Sequence, residues 1–160
     1  MAIAKSGVRA PEFTLPDVAG RQRSLEELLR HGPLVVAFFK VSCPTCQYTF
    51  PFLERLHQRL NGAAARIVGI SQDVRRKTEQ FNREYGVNFP VLLDSEDENY
   101  PVSNAYGITH VPTLFLIEPD GRIALNSAGF VKGDLEELAR RLGPIELFQR
   151  DEKVEAFRAG

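Results

Sequence analysis

A chain of 160 residues with 43% hydrophobic content is long enough for one domain with a real core and too short for two comfortable ones. A formal net charge of −1 and a pI near 6.3 exclude the electrostatic footprint of a nucleic-acid binder or of a protein held to an anionic membrane. The segment Met1 to Gly7 lacks the apolar stretch of about 7–15 residues that a secretory signal needs, and the longest apolar runs, Leu34–Phe39 and Leu114–Ile117, are strand-sized rather than membrane-spanning, so the expected location is the cytoplasm.

In chain order, Phe13-Thr14-Leu15 reads as a short strand, Asp17 to Gly20 as a turn, and Ser24-Leu25-Glu26-Glu27 as a capping box opening a helix to about His31. Pro33 to Phe39 is a continuous apolar run centred on Val35 and Val36, the pattern of a strand buried on both faces. It delivers Cys43 to the carboxyl end of the sheet, where open α/β sheets place their ligand sites. The helix after Cys46 should bury Leu53, Leu56 and Leu60, and Pro51 should kink it by removing one hydrogen bond. A second interior strand follows over Ala65 to Gln72, then a helix from Arg76 to Tyr85 ending at Gly86, then a strand from Phe89 to Leu93. The acidic run Asp94 to Glu98 reads as a solvated connection. Pro112 to Ile117 is another strand, and Asp120-Gly121 a hairpin turn into Arg122 to Ser127, which implies an antiparallel edge. Leu135, Leu138 and Leu142 line a terminal helix running from near Asp134 to Gly143-Pro144. The tail from Ile145 to Gly160 mixes Leu147, Phe148 and Phe157 with charges, and loose packing, pairing with another chain and mobility are all open to it.

The two cysteines of the chain sit together in Phe39-Lys40-Val41-Ser42-Cys43-Pro44-Thr45-Cys46, where a strand gives way to a helix. A structural bridge closing so short a loop would restrict the unfolded chain by only roughly 2 kcal/mol. As a reversible redox pair the spacing works well, because residues three apart at a helix start are close enough to bond and to be reopened. The unpaired N–H groups and positive dipole end of the helix favour thiolate over thiol at the first position, which makes Cys43 the attacking sulfur. Pro44 suits the first helical position, where its missing N–H costs nothing. Cys46, one turn on, is the resolving thiol: Cys43 attacks a partner disulfide, and Cys46 then releases the reduced partner. The reverse order would oxidise dithiols. Two blander roles compete, buried core filler and a zinc site. Zinc needs two further ligands, and His31, His57 and His110 are scattered without metal-ligand spacing, so neither a metal nor a cofactor is expected.

Taken together, CPTC at the end of a buried strand, Pro51 eight residues after Cys43, and Tyr106-Gly107-Ile108-Thr109-His110-Val111-Pro112-Thr113 resemble a thioredoxin-fold protein over nearly the whole chain. The resemblance implies an α/β fold, a central mixed sheet flanked by helices, as a single domain with its core over residues 9–143 and a tail over 144–160. It also implies that Pro112 is cis and stands beside Cys43, with Val111 offering backbone hydrogen bonds to an extended substrate segment and Pro44 and Thr45 completing the groove; an ordinary trans proline is the alternative. The stretch Asp73 to Asp94 adds a helix and strand to a bare thioredoxin. With the Ala10-Pro11-Glu12-Phe13-Thr14-Leu15 opening, this is similar to the redoxin branch, which holds peroxiredoxins of the alkyl hydroperoxide reductase/thiol-specific antioxidant type and thiol-disulfide reductases related to cytochrome-maturation proteins.

Peroxiredoxins resemble one another in a PxxxTxxC signature, and neither register fits here. With Cys46 peroxidatic, Phe39 stands for Pro and Cys43 for Thr; with Cys43 in that role, the places hold Val36 and Lys40. The CxxC matches the disulfide reductases instead. Two acids of those families are missing: the buried Asp of thioredoxins falls on Ala37, and the Glu of the cytochrome-maturation type falls on Thr49. Deprotonation of Cys46 is left to water, to Thr49 as a relay, or to a group the sequence does not locate, while Lys40 is a candidate for lowering a thiol pKa. Ser42 replaces the tryptophan that commonly precedes the first cysteine. The expected function is a thiol-disulfide oxidoreductase acting on protein or small disulfides, with a thioredoxin system as electron donor, as monomer or homodimer. The alternatives are a thiol peroxidase using the same pair and a redox-inert binding module.

Overall fold

The computed structural model describes residues 3–60 and 66–160. Ala65, expected to open the second interior strand, and Met1 and Ala2 of the N-terminal segment lie outside the described residues. The chain begins with an antiparallel ribbon, β1 (Thr14–Pro16) and β2 (Gln22–Ser24), that leads into α1 (Leu25–Leu28) and a 3-10 turn ending at His31. Half of the expected capping box forms: Ser24 Oγ accepts from Glu27 N–H at 3.1 Å, whereas the Glu27 carboxylate turns to Arg23 Nε at 2.7 Å.

β3 (Leu34–Phe39) is the centre of the molecule, and all six of its residues are buried. α2 (Pro44–Leu60) follows, and it runs through Pro51 as one helix. β4 (Ile67–Ser71) lies parallel to β3, and beyond α3 (Arg75–Tyr85) β5 (Val91–Leu93) lies parallel to β4. α3 ends as expected at Gly86, whose φ of 68° is open to a residue without a side chain. After α4 (Pro101–Ala105), β6 (Thr113–Ile117) returns antiparallel to β3, and β7 (Ile123–Ala128) forms the antiparallel edge across the Glu118–Arg122 turn. The sheet order is β5-β4-β3-β6-β7, a mixed sheet.

Alternation along β3 divides the core in two. Val35, Ala37 and Phe39 face α2, α3 and α5 (Lys132–Leu142), with the Phe39 ring centre 4.3 Å from that of Phe50 and 4.9 Å from that of Phe81, both pairs tilted. Leu34, Val36 and Phe38 face the N-terminal segment, α1 and α4, with Phe38 5.1 Å from Tyr106. Gly69 on β4 makes the first face possible, because a Cβ there would stand 3.3 Å from both the Phe39 ring and Val91.

One expectation about connections needs correction, and one open question has an answer. The acidic run does not simply dissolve in solvent: Asp94 is fully buried, and its carboxylate accepts from the N–H groups of Val102 at 3.1 Å and Ser103 at 2.6 Å, which tethers the short α4. The tail packs back along α2. Leu147 is buried, Phe148 packs on Phe52 and Phe130, and the Arg55 guanidinium holds Glu152 through paired contacts of 2.7 and 2.8 Å. The tail ends in β9 (Phe157–Arg158), antiparallel to β8 (Phe130–Val131).

Candidate active site

The site is assembled where β3 ends and α2 begins. The apolar run of β3 carries the chain to the carboxyl edge of the sheet, and Lys40 O accepts from Cys43 N–H at 3.3 Å to turn it into the helix. Pro44 is the first residue of α2. Cys43 is half-buried and Cys46 fully buried, and both thiols are free.

Their surroundings differ sharply. The Cys43 sulfur receives the Cys46 N–H at 3.0 Å and itself donates to the Val111 carbonyl at 3.4 Å. Val111–Pro112 is a cis peptide bond, and the contact of its carbonyl with Cys43 brings two motifs 68 residues apart together at one sulfur. The Cys46 side chain packs into the cluster of Ala37, Phe39 and Phe50. Burial there pushes its thiol far above the usual range; the hydrogen bond with Cys43 and the charge of Asp73 act in the same direction, and the Lys40 backbone opposes them.

The flanking candidates divide between the groove and the helix. Thr45 is buried and donates through Oγ1 to Ala159 O at 2.6 Å, so the tail occupies its hydroxyl. Thr49 is also buried, and its hydroxyl proton goes to the Thr45 carbonyl at 2.7 Å. The Lys40 side chain is exposed; what this residue brings to the pair is its backbone. Asp73 is the residue that sequence reasoning missed. It stands just past the end of β4, half-buried, and its carboxylate accepts from Val41 N–H at 2.8 Å while Gln47 donates to Val41 O at 2.9 Å. The signal was positional, since parallel neighbours β3 and β4 end on the same edge of the sheet. Among the described residues no three His, Cys, Asp or Glu side chains gather in a way that could hold a metal ion.

The profile of the AhpC/TSA family matches residues 6–126. The chain belongs to the AhpC/TSA family. Among its AhpC/TSA relatives, the thiol-disulfide oxidoreductase ResA of Bacillus subtilis is 31% identical over 118 residues, which cover 73% of this chain and 64% of the Bacillus protein. The thioredoxin domain of a thiol-disulfide oxidoreductase from Bacteroides vulgatus superposes with a TM-score of 0.75 at 22% identity, over 86% of this chain and 96% of that one. A peroxidoxin, BcpB of Mycobacterium tuberculosis, superposes with a TM-score of 0.73 at 26% identity, over 89% of this chain and 98% of that one. The fold is thioredoxin-like, and this AhpC/TSA member is an enzyme, a thiol-disulfide oxidoreductase with a CxxC pair.

Proposed function

We propose that the enzyme reduces disulfides in extended protein segments, with Cys43 as nucleophile and Cys46 as resolving thiol. The observation that carries this is the seat of the Cys43 sulfur, half-exposed between the Cys46 N–H at 3.0 Å and the Val111 carbonyl at 3.4 Å, with the second thiol buried one helical turn behind it. A donor aimed at sulfur from the first turn of a helix stabilises the anion that attacks. The Cys43 thiolate displaces one sulfur of the substrate disulfide as a thiolate and bonds to the other. Cys46, once deprotonated, attacks Cys43 Sγ, expels the second substrate sulfur, and leaves a Cys43–Cys46 disulfide. Two electrons pass to the substrate, and an external dithiol, such as that of a thioredoxin system, restores the pair.

The similarity to a peroxidoxin makes peroxide the natural competing substrate. Against it, Cys46 is sealed from solvent, and Val36 and Phe39, at the two proline positions of the peroxiredoxin signature, are buried apolar residues on β3. The test is a side-by-side assay of a protein disulfide and hydrogen peroxide with a thioredoxin-reductase electron source. Disulfide turnover is expected, with peroxide consumed no faster than by free thiol; rapid peroxide consumption with idle disulfide overturns the proposal.

A further inference from the structure

The tail does more than complete the core. After Arg55 and Leu147 fix it beside the later turns of α2, it runs back toward the start of that helix, against the helix direction. Glu155 N–H donates to Tyr48 Oη at 3.2 Å, the Arg158 guanidinium lies 4.7 Å from the centre of the Tyr48 ring, and Lys132 N–H donates to Ala156 O at 3.0 Å. β9 then pairs Phe157 with Val131 and Arg158 with Phe130. Its tip reaches the redox site: Ala159 O takes the Thr45 hydroxyl at 2.6 Å, and Gly160 lies so close to the Val111–Pro112 bond that a Cβ on it would overlap the Val111 carbonyl oxygen. That oxygen is the one to which Cys43 Sγ donates. Gly129 is fitted to the same segment, since a Cβ there would stand 2.6 Å from Arg158 O and its φ of 77° already demands glycine.

An extended main chain therefore lies along the path that a substrate peptide would take past Thr45, Val111 and Cys43. We infer that residues 155–160 are a built-in occupant of the peptide groove, a strap whose main-chain contacts a protein substrate takes over when it displaces the strap. This rests on the reading of Cys43 as the nucleophile for protein disulfides. Two features suit the strap to displacement. It is held by a two-residue ladder with its flanking Lys132–Ala156 bond, by Tyr48 against Glu155 and Arg158, and by the Thr45 hydroxyl, all near the surface, and Phe157 remains 61% exposed, so little apolar surface is lost when it lifts. Its root is secured by the Arg55–Glu152 pair and by buried Leu147, so a lifted tip stays tethered near the groove at high local concentration. Substrate affinity is lowered by the fraction of molecules with the strap down.

The test compares the protein with a Gly160→Val variant, whose branched side chain cannot fit beside the Val111 carbonyl. Expelling the tip should raise kcat/KM for a peptide disulfide by about three- to tenfold, mainly through KM, and change that for bis(2-hydroxyethyl) disulfide by less than about twofold. A peptide of residues 154–160 added in trans should inhibit reduction of the peptide disulfide competitively. Labelling of Cys43 by a bulky maleimide should be faster in the variant by a similar factor, a readout that needs no turnover. Equal labelling rates in the two proteins, or an unchanged kcat/KM for the peptide disulfide together with no inhibition in trans, overturns the strap. A protein inactive on every disulfide, yet labelled faster in the variant, would leave the strap standing and overturn the assigned substrate instead.

Discussion

Cys43 and Cys46 are separated by two residues of one helix and live in different media. One sulfur is half-exposed, receives a backbone N–H and rests on a carbonyl of a distant loop; the other is buried in the core cluster that holds Ala37, Phe39 and Phe50, where ionisation is opposed by burial. The contrast teaches that, under the proposed function, helix geometry sets which thiol meets substrate and the sheet face sets which thiol waits. A turn of helix swings Cys46 onto the face where β3 presents its odd-numbered side chains, and the aromatic cluster there does the rest.

Breaking the contrast at its first member should have the largest effect. Cys43→Ser should reduce disulfide turnover to the background of uncatalysed exchange, a fall of at least about a hundredfold in a coupled reductase assay. Cys46→Ser should leave the first attack intact and halt the second, so a mixed disulfide of one enzyme and one substrate accumulates and is seen as an intact-mass increment that a reductant removes. Phe50→Ala should cost about 3–5 kcal/mol by urea unfolding, because the ring is fully buried against Phe39 and Phe81. The same variant admits water beside Cys46, so the pH profile of resolution should move to lower pH.

Smaller effects sharpen the comparison. Asp73→Asn removes a negative charge that disfavours the Cys46 thiolate while keeping an acceptor for Val41 N–H, so resolution should accelerate at neutral pH and its profile should shift downward. An unchanged profile would show that burial and Cys43, not the Asp73 charge, govern the second thiol. Glu152→Gln should loosen the tail root slightly. The Arg55 guanidinium beside Glu152 holds its carboxyl down to about 2 from an ordinary 4.5, so the pair supports the fold fully above pH 4.5 and its support is lost as pH falls from there toward 2. Hydrogen-exchange protection of residues 145–160, taken relative to the intrinsic rate at each pH, should fall as pH drops through that window in the protein and be nearly flat in the variant.

Much of this was readable from the residues. An unbroken apolar run announced β3, and Pro44 between two cysteines announced the start of α2, because both signals are local and depend on a single element. The approach of Val111–Pro112 to Cys43 came from resemblance alone, since no periodicity links residues so far apart. Asp94 escaped because an acidic run looks solvated, and its partners, Val102 and Ser103, lie beyond an intervening 3-10 turn; Pro101 at the first position of α4 was the local clue. The residue type of Lys40 points to its ammonium, whereas its backbone is what touches the site. The tail was undecided because its contacts are long-range: Arg55 with Glu152, Tyr48 with Glu155 and Arg158, Thr45 with Ala159.

The Cys46 amide gives the chain its own gauge of oxidation. In the dithiol state its proton points at a sulfur free to carry charge, at 3.0 Å; once that sulfur is bonded to its neighbour it is a neutral and weaker acceptor. The amide resonance of one residue should therefore move between two positions as electrons enter and leave, and nuclear magnetic resonance could count the reduced fraction without adding any probe.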